Sequence, residues 1–187
     1  MDRIEGLYFS RCKQVVLETG RLIIRQIQRG DEAVFAKMAA DGSLLQIGFD
    51  ENCVEWIGDW IEEAEALTIK DNPRADYIPC TVVLKENGAV IGSVGSTYYE
   101  DTNKVGIAYF IGAEYRNNGY MTEAIKAYVP YFFEHYGEPE LLATISDSNV
   151  SSWKVAEAAG FKLKEIKVYK DINDKKDELY RFYFASN

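Results

Sequence analysis

The chain has 187 residues, of which 47% are hydrophobic and 27% charged, a balance typical of one globular domain. Its formal net charge of −9 argues against a nucleic-acid backbone as the main partner, because proteins that bind nucleic acids present basic surfaces. An acidic surface attracts cationic substrates such as amines, although it also simply keeps a protein soluble.

The chain begins with charged residues, including Asp2 and Arg3, and lacks the apolar core of a signal peptide. No segment approaches the ~20 apolar residues of a membrane helix. The cysteines, Cys12, Cys53 and Cys80, have no metal or redox spacing and indicate reduced thiols. We therefore expect a cytoplasmic protein that binds no metal, no membrane and no nucleic acid.

Residues 1–16 are expected to form an N-terminal extension, which could pack on the domain as an extra helix or arm or contact a partner. Residues 17–185 are expected to form the core of a single domain. Within that core, Arg21–Ile27 alternates between apolar and polar residues and predicts the first strand. Asp31 is then expected to cap a helix that ends near Ala40.

A second helix is predicted over Val54–Ile69, with apolar residues at helical spacing and an acidic opposite face. Such a face is usually solvated, but it could also border a site for an amine. Tyr77–Lys85 and Ala89–Tyr98 are predicted to form a hairpin around the Asn-Gly turn at 87–88. Lys104–Ile111, rich in β-branched and aromatic residues, follows as a third antiparallel strand.

A polar turn at 115–119 separates that strand from an amphipathic helix that begins near Met121. A helix start leaves backbone N–H groups unpaired, and together with the helix dipole these groups form a site for phosphate. Arg116 places a cation at this turn. A glycine before a helix is also compatible with an ordinary connection, but the second helix opening at Asn149 makes the pattern more specific.

After this helix, Leu141–Ile145 is predicted as a short strand parallel to Lys104–Ile111, by the right-handed crossover rule. A last helix over Asn149–Ala159 is expected to end at Gly160. The final two predicted strands form a hairpin, Phe161–Tyr169 with Glu178–Phe184. This order predicts an α+β fold with a mixed, mostly antiparallel sheet flanked by helices.

Several motifs resemble those of the GNAT N-acetyltransferases. Residues 116–121, Arg-Asn-Asn-Gly-Tyr-Met, resemble the (Gln/Arg)-x-x-Gly-x-(Gly/Ala) loop that binds acetyl-coenzyme A in that superfamily. The continuation Tyr-Met-Thr-Glu-Ala at 120–124 is similar to the RimJ/RimL-like branch, the ribosomal-protein alanine N-acetyltransferases. Thr-Gly-Arg-Leu at 19–22 resembles the opening motif of that branch, and Asn149-x-x-Ser152 with Gly160-Phe161 resembles its closing motif.

Two positions depart from the pattern of the resembled branch. Met121 stands where glycine or alanine is usual, and Gly106 stands where a glutamate is common. A methionine side chain at 121 would crowd the diphosphate unless it points into the core, as the helical pattern indicates. Because the glutamate is absent, the candidates for the general base are Glu100, Asp101 and Glu51.

The resemblance implies a GNAT fold, in which two parallel strands splay apart and admit the pantetheine arm of acetyl-coenzyme A. It also implies direct attack of a primary amine on the thioester, with no enzyme nucleophile. The acceptor would be a protein N-terminus or a small cationic amine, such as a polyamine, an aminoglycoside-like molecule or an amino acid, and the protein a monomer or a homodimer. Because of the two departures, a non-catalytic coenzyme A-binding or sensor module is the alternative.

The resemblance also implies roles for particular residues. The residues expected to bind the cosubstrate are Phe110, Ile111, Arg116, Asn117, Asn118, Gly119, Tyr120, Met121, Asn149 and Ser152. A backbone N–H of Phe110 or Ile111 is expected to stabilise the developing negative charge. Ser152 is expected to protonate the leaving thiolate, since Ala156 replaces a tyrosine used by other members, although Ser152 could also be an ordinary helix serine. His135 has no such role and is expected at the surface or at a helix end.

Overall fold

The computed structural model describes residues 16–171 and 176–187. Most of the predicted N-terminal extension therefore lies outside the described residues. The strands are β1 Val16–Glu18, β2 Leu22–Gln26, β3 Ile78–Leu84, β4 Val90–Tyr99, β5 Lys104–Ile111, β6 Glu140–Ser146, β7 Lys162–Tyr169 and β8 Glu178–Ser186. The α-helices are α1 Glu32–Ala39, α2 Ile57–Lys70, α3 Tyr120–Tyr136 and α4 Val150–Ala158. Short 3₁₀ helices span Leu45–Ile47, Cys53–Glu55 and Ala113–Tyr115.

The strands form one sheet in the order β1-β2-β3-β4-β5-β6-β8-β7. Neighbouring strands are antiparallel except β5 and β6, which are parallel. These two strands share a single register pair, Gly106 with Leu142, near their starts. Beyond that pair they diverge, which opens the middle of the sheet. The predicted α+β fold, with its mixed sheet and its splayed parallel pair, is confirmed.

Helices cover both faces of the sheet. On one face α3 and α4 pack on a core that includes the apolar stripe predicted for α3, from Met121 to Phe133. On the other face α1 and α2 pack over a smaller core that contains Phe35, Ile61 and Phe110. Because successive side chains of a strand point to opposite faces, Phe110 contacts the α1–α2 layer while its neighbour Tyr109 packs on the α3–α4 side.

The prediction that the Asp31 side chain caps α1 is wrong. Asp31 does precede the helix, but its carboxylate makes no cap hydrogen bond. It accepts hydrogen bonds from the Arg25 guanidinium at 2.7 and 2.8 Å and from the Thr81 hydroxyl at 2.7 Å. The side chain is almost fully buried, so its charge is compensated by the Arg25 cation rather than by a helix end.

Two element boundaries also differ from the predictions. The second helix begins at Ile57 rather than Val54, because a 3₁₀ turn over Cys53–Glu55 precedes it. The short strand β1, Val16–Glu18, pairs with β2 and was not predicted. Three residues are too few to show an alternating pattern, so only the pairing partner identifies this strand.

Other predictions concern single residues. Cys53 and Cys80 are free, buried thiols, and burial raises the pKa of Cys80 to about 12. His135 lies in the last turn of α3, and its Nε2 is 2.8 Å from a carboxylate oxygen of Asp71. Among residues 16–171 and 176–187, no helix is long and apolar enough to span a membrane.

Candidate active site

The loop before α3 is held in a tight, left-handed path. Asn117 and Gly119 both have positive φ values, 63° and 76°, a conformation that glycine and asparagine adopt most readily. The Asn118 side-chain amide donates to the carbonyls of Tyr115 and Arg116 at 3.2 and 2.9 Å. The residue types in this loop are therefore the ones that its backbone conformation requires.

This loop presents a row of backbone donors. The first hydrogen bond into α3 runs from the Glu123 N–H to the Gly119 carbonyl. Within the described chain, the N–H groups of Asn118, Gly119, Tyr120 and Met121 donate to no protein acceptor. With the helix dipole behind them, these donors can hold an anion. The Met121 side chain is only 5% exposed and belongs to the core, so it does not crowd this surface.

A clamp from the start of the sheet holds the loop in place. Arg21 donates through Nε to Glu123 Oε2 at 2.7 Å and through Nη1 to the Asn118 carbonyl at 3.0 Å. Its guanidinium also lies over the Tyr120 ring, 4.5 Å from the centroid. The Thr19 hydroxyl donates to Glu123 Oε1 at 2.6 Å. Thus the Thr-x-Arg-Leu motif and the Thr-Glu-Ala motif contact each other directly.

The charge of Glu123 is part of this clamp. Burial alone would raise the pKa of Glu123, but the hydrogen bonds from Thr19 and Arg21 outweigh burial and lower it. Arg116, in contrast, is exposed and donates through Nη2 to the Ser43 carbonyl at 3.1 Å. It therefore connects the loop to the segment between α1 and α2.

A cavity of about 420 Å³ lies where β5 and β6 diverge. It extends toward the segment between α1 and α2 on one side and toward the β7–β8 hairpin on the other. The lining residues are Leu45, Ile47, Phe49, Trp60, Tyr77, Thr97, Tyr99, Ile107, Ala108, Tyr109, Phe110, Thr144, Ile145, Ser146, Ser148, Asn149, Ser152, Asp171, Glu178 and Tyr180. A cleft at the splay of two parallel strands is a common place for a ligand site in a mixed sheet.

Asn149 and Ser152 enter this cavity from the start of α4. The Asn149 side chain caps the helix by accepting from the Ser152 N–H at 3.2 Å. The Ser152 hydroxyl donates to the Tyr109 hydroxyl at 3.0 Å, and Tyr109 donates to the Ser152 carbonyl at 2.9 Å. Burial raises the pKa of Tyr109 well above its ordinary value, so this tyrosine stays protonated at neutral pH.

The ladder between β4 and β5 determines which backbone groups face the cavity. The Gly112 N–H donates to the Ile91 carbonyl at 2.9 Å, and Ser93 faces Phe110 two positions further along. Hydrogen-bonded and non-hydrogen-bonded pairs alternate in an antiparallel ladder. The Phe110 N–H is therefore directed at β4, whereas the N–H of Ile111 is directed toward the gap beside β6.

Gly106 has no space for a side chain. A Cβ at this position would lie 2.3 Å from Cε2 of the Tyr99 ring and 2.9 Å from the Leu142 carbonyl oxygen. The Tyr99 ring thus fills the space that a residue at 106 would need. Its hydroxyl accepts from Thr144 Oγ1 at 2.9 Å, and burial raises its pKa to about 12, so it is a neutral hydrogen-bonding group of the cavity.

The structure brings only some of the predicted site residues together. Phe110, Asn149 and Ser152 line the cavity, while Ile111 and the loop 116–121 lie outside its lining. None of the three candidate bases, Glu100, Asp101 and Glu51, lines the cavity either.

A second group of residues also lines the cavity, although no pattern in the sequence indicates it. They are the aromatic residues Phe49, Trp60, Tyr77, Tyr99 and Tyr180, and the carboxylates Asp171 and Glu178. Their positions are scattered along the chain, so only the fold brings them together. The helical spacing of apolar residues places Trp60 on the inward face of α2 but does not indicate which residues or ligand it contacts.

No group of three or more histidine, cysteine or acidic residues that could hold a metal ion occurs in the part of the chain that the structure describes.

Residues 21–162 match the family described as "Acetyltransferase (GNAT) domain". A curated relative, the uncharacterized N-acetyltransferase YnaD of Bacillus subtilis, is 25% identical over 151 residues, which are 78% of this chain and 82% of that protein.

Solved structures share the fold at low sequence identity. The acetyltransferase from Agrobacterium tumefaciens is 22% identical with a TM-score of 0.73, and the match covers 99% of this chain and all of that one. RimL, described as a ribosomal L7/L12 α-N-protein acetyltransferase in complex with coenzyme A, is 10% identical with a TM-score of 0.76 and covers 92% of this chain and 98% of its own.

Proposed function

The chain belongs to the GNAT acetyltransferase family, and we propose that it transfers the acetyl group of acetyl-coenzyme A to a primary amine. Members of this family use acetyl-coenzyme A as their acetyl donor. We further propose that the chain is one acetyltransferase domain of the RimJ/RimL-like type. The buried thiols Cys53 and Cys80 support a reducing compartment such as the cytoplasm.

The row of N–H groups at 118–121, which have no acceptor among the described residues, is the observation that supports this function best. These donors stand at a helix start, Gly119 adds no side chain there, and the Arg21–Glu123 clamp fixes the loop. A diphosphate is the anion that such a row of donors suits. The diverging edges of β5 and β6 would then accept the pantetheine arm as an added strand.

The bound cosubstrate would supply an activated acetyl thioester, and the chain supplies the surroundings. The Ile111 N–H, directed toward the gap, is favoured over the Phe110 N–H as the donor to the developing negative charge on the carbonyl oxygen. Asn149 fixes the first turn of α4, and thereby positions Ser152. No nucleophilic side chain is required, because the amine attacks directly.

Ser152 is proposed to deliver a proton to the departing thiolate. Its hydroxyl is hydrogen-bonded to the Tyr109 hydroxyl, so a proton that Ser152 gives to the thiolate can be replaced from Tyr109, which then regains a proton from solvent. Asp171 and Glu178 are the carboxylates among the described residues that line the cavity. They are proposed to accept the proton that the acceptor ammonium loses, in place of the glutamate that is common at position 106 in the resembled branch.

A turnover assay with acetyl-coenzyme A and a panel of amines tests the function. The panel contains a polyamine, an aminoglycoside, free amino acids, arylalkylamines and peptides with free N-termini, and the release of coenzyme A is measured. We expect at least one amine to raise the release of coenzyme A well above the rate of hydrolysis. Coenzyme A binding without turnover of any amine would instead favour the alternative, a binding or sensor module.

A further inference from the structure

We propose that the acceptor is a primary amine attached through a short linker to an aromatic or branched apolar group. This inference rests on the proposed function and specifies the substrate class of the same cavity. It is supported by an aromatic wall, by exposed apolar residues at the rim, and by the charges of the lining.

The aromatic wall, defined here as Phe49, Trp60 and Tyr77, stands next to the expected position of the acetyl group. The rings of Phe49 and Trp60 lie 5.3 Å apart and nearly perpendicular, and those of Trp60 and Tyr77 lie 6.1 Å apart and nearly parallel. Phe49 also packs edge-on against Phe110 of β5, at 5.3 Å. The wall is therefore a rigid packed surface that reaches the strand on which the chemistry is proposed.

The rim of the cavity is apolar and exposed to solvent. Leu45 and Ile47, on the 3₁₀ helix between α1 and α2, are 58% and 37% exposed and line the cavity. Exposed apolar side chains beside a concave aromatic surface are typical of a ligand site. The short methylene segments of a flexible polycation would cover these two residues less completely than a compact apolar group would.

The charges of the lining favour a cation. Among the residues that line the cavity in the described chain, Asp171 and Glu178 are acidic and none is lysine, arginine or histidine. Lys176 lies 3.7 Å from Glu178, so this carboxylate is partly screened. The cavity thus combines one apolar side with one acidic side, which matches a molecule with a single ammonium group and an apolar body.

The proposal is tested with amines that differ mainly in their apolar bodies. 2-Phenylethylamine, 3-methylbutylamine, ethylamine and spermidine are compared, together with short peptides that begin with phenylalanine or with serine. We expect kcat/KM for 2-phenylethylamine to exceed that for ethylamine by about 10- to 100-fold, as burial of a phenyl-sized group predicts. Comparison of the peptides with the small amines shows whether the acceptor is a protein N-terminus or a small molecule.

Variants at the rim sharpen this test. Leu45→Asp should reduce the preference for 2-phenylethylamine over ethylamine by about 10-fold, and Leu45→Met should preserve it. Val54→Asp changes another exposed apolar residue, 67% exposed, that does not line the cavity, and should leave the preference unchanged. Equal rates for all monoamines, or a preference for spermidine, would overturn the proposal.

Binding separates this inference from the proposed function. Saturation-transfer NMR of the protein with coenzyme A reports which amines contact it, whether or not they are acetylated. If no amine is acetylated but 2-phenylethylamine binds and ethylamine does not, the transfer reaction fails while the selectivity of the cavity stands. If neither binds, or if spermidine binds more tightly, the inference fails.

Discussion

The proposed diphosphate loop and the proposed acceptor cavity are built from different kinds of contact. The loop, residues 116–121, is fixed by hydrogen bonds and an ion pair, through Arg21 and Glu123. The side of the cavity proposed for the acceptor is formed by ring packing, through Phe49, Trp60 and Tyr77. Directional polar contacts suit a cosubstrate that stays the same in every turnover, whereas an apolar wall selects a body by its size and shape.

If this contrast is correct, the largest effect should come from a charge placed in the loop. Gly119→Asp adds a side chain at a φ of 76° and a negative charge beside the diphosphate. We expect coenzyme A binding to weaken by about 1,000-fold, because the added side chain crowds the diphosphate and its charge repels it. Isothermal titration calorimetry measures this. Gly119→Asn, neutral and tolerant of left-handed backbone, should lose no more than about 10-fold; equal losses in both variants would remove the charge from the explanation.

A smaller loss, this time in kcat, is expected when the proposed proton donor Ser152 is removed. Ser152→Ala should lower kcat by about 100-fold, with little change in KM for acetyl-coenzyme A, because it removes the proposed proton donor. Steady-state kinetics test this, and an acyl donor with a more acidic thiol should recover much of the rate. Tyr109→Phe removes the hydroxyl that accepts from Ser152. If Tyr109→Phe is severe and Ser152→Ala mild, Tyr109 is the donor.

The acidic side of the cavity should contribute less than the proton donor does. Glu178→Gln should lower kcat/KM for a cationic amine by only about 5-fold, because Asp171 remains to accept the ammonium proton and the lost attraction is that of a partly exposed ion pair. The wild-type kcat/KM should fall with added salt, and this dependence should flatten in the variant. Glu63→Gln changes an exposed carboxylate of α2 that does not line the cavity. A matching loss in that variant would mean that overall charge, not Glu178, matters.

The clamp should give the smallest effect and the clearest dependence on pH. Arg21→Met should weaken coenzyme A binding by about 3- to 5-fold, since the ion pair is half exposed. The pKa of Glu123 is lowered from 4.5, so the stabilisation is complete above that value and is lost as the pH falls through the lower folded value. Thermal melts from pH 7 down to pH 3 should show this loss of stability. The melting temperature of Glu123→Gln should fall less over the same range, because the contribution of Glu123 is absent.

The same contrast explains how much the sequence alone predicts. The loop and the start of α4 are contiguous, so residues 116–121, Asn149 and Ser152 stand out as local patterns of glycine, asparagine and serine. The fold was predictable for a similar reason, since the apolar stripe of α3 and the alternation of the strands are local periodicities. Elements that depend on distant partners were not predictable: β1 is identified only by β2, and Asp31 binds Arg25 and Thr81 rather than its own helix.

The acceptor side was the least predictable part of the site. The aromatic wall and the carboxylates Asp171 and Glu178 come from segments more than 90 positions apart along the chain. Nothing local distinguishes Trp60 from other buried aromatic residues, or Glu178 from other acidic residues at a strand start. The two motifs that form the clamp are each visible in the sequence. The contact between Arg21 and Glu123 is not, because the two residues are 102 positions apart and only the fold brings them together.

The contact between Gly106 and the Tyr99 ring restricts the order in which this site can be altered by mutation. With the ring in place, a Cβ at 106 would meet Cε2 at 2.3 Å, so a glutamate introduced there alone is sterically excluded. Making room requires the Tyr99 ring to move or to be replaced by a smaller residue, which disturbs the hydroxyl bound to Thr144. It also requires the backbone to shift away from the Leu142 carbonyl oxygen, 2.9 Å from the new Cβ. The two positions are therefore epistatic. An evolutionary path, or a laboratory selection, that introduces the glutamate common in the resembled branch has to change the packing of Tyr99 and the contact with β6 as well.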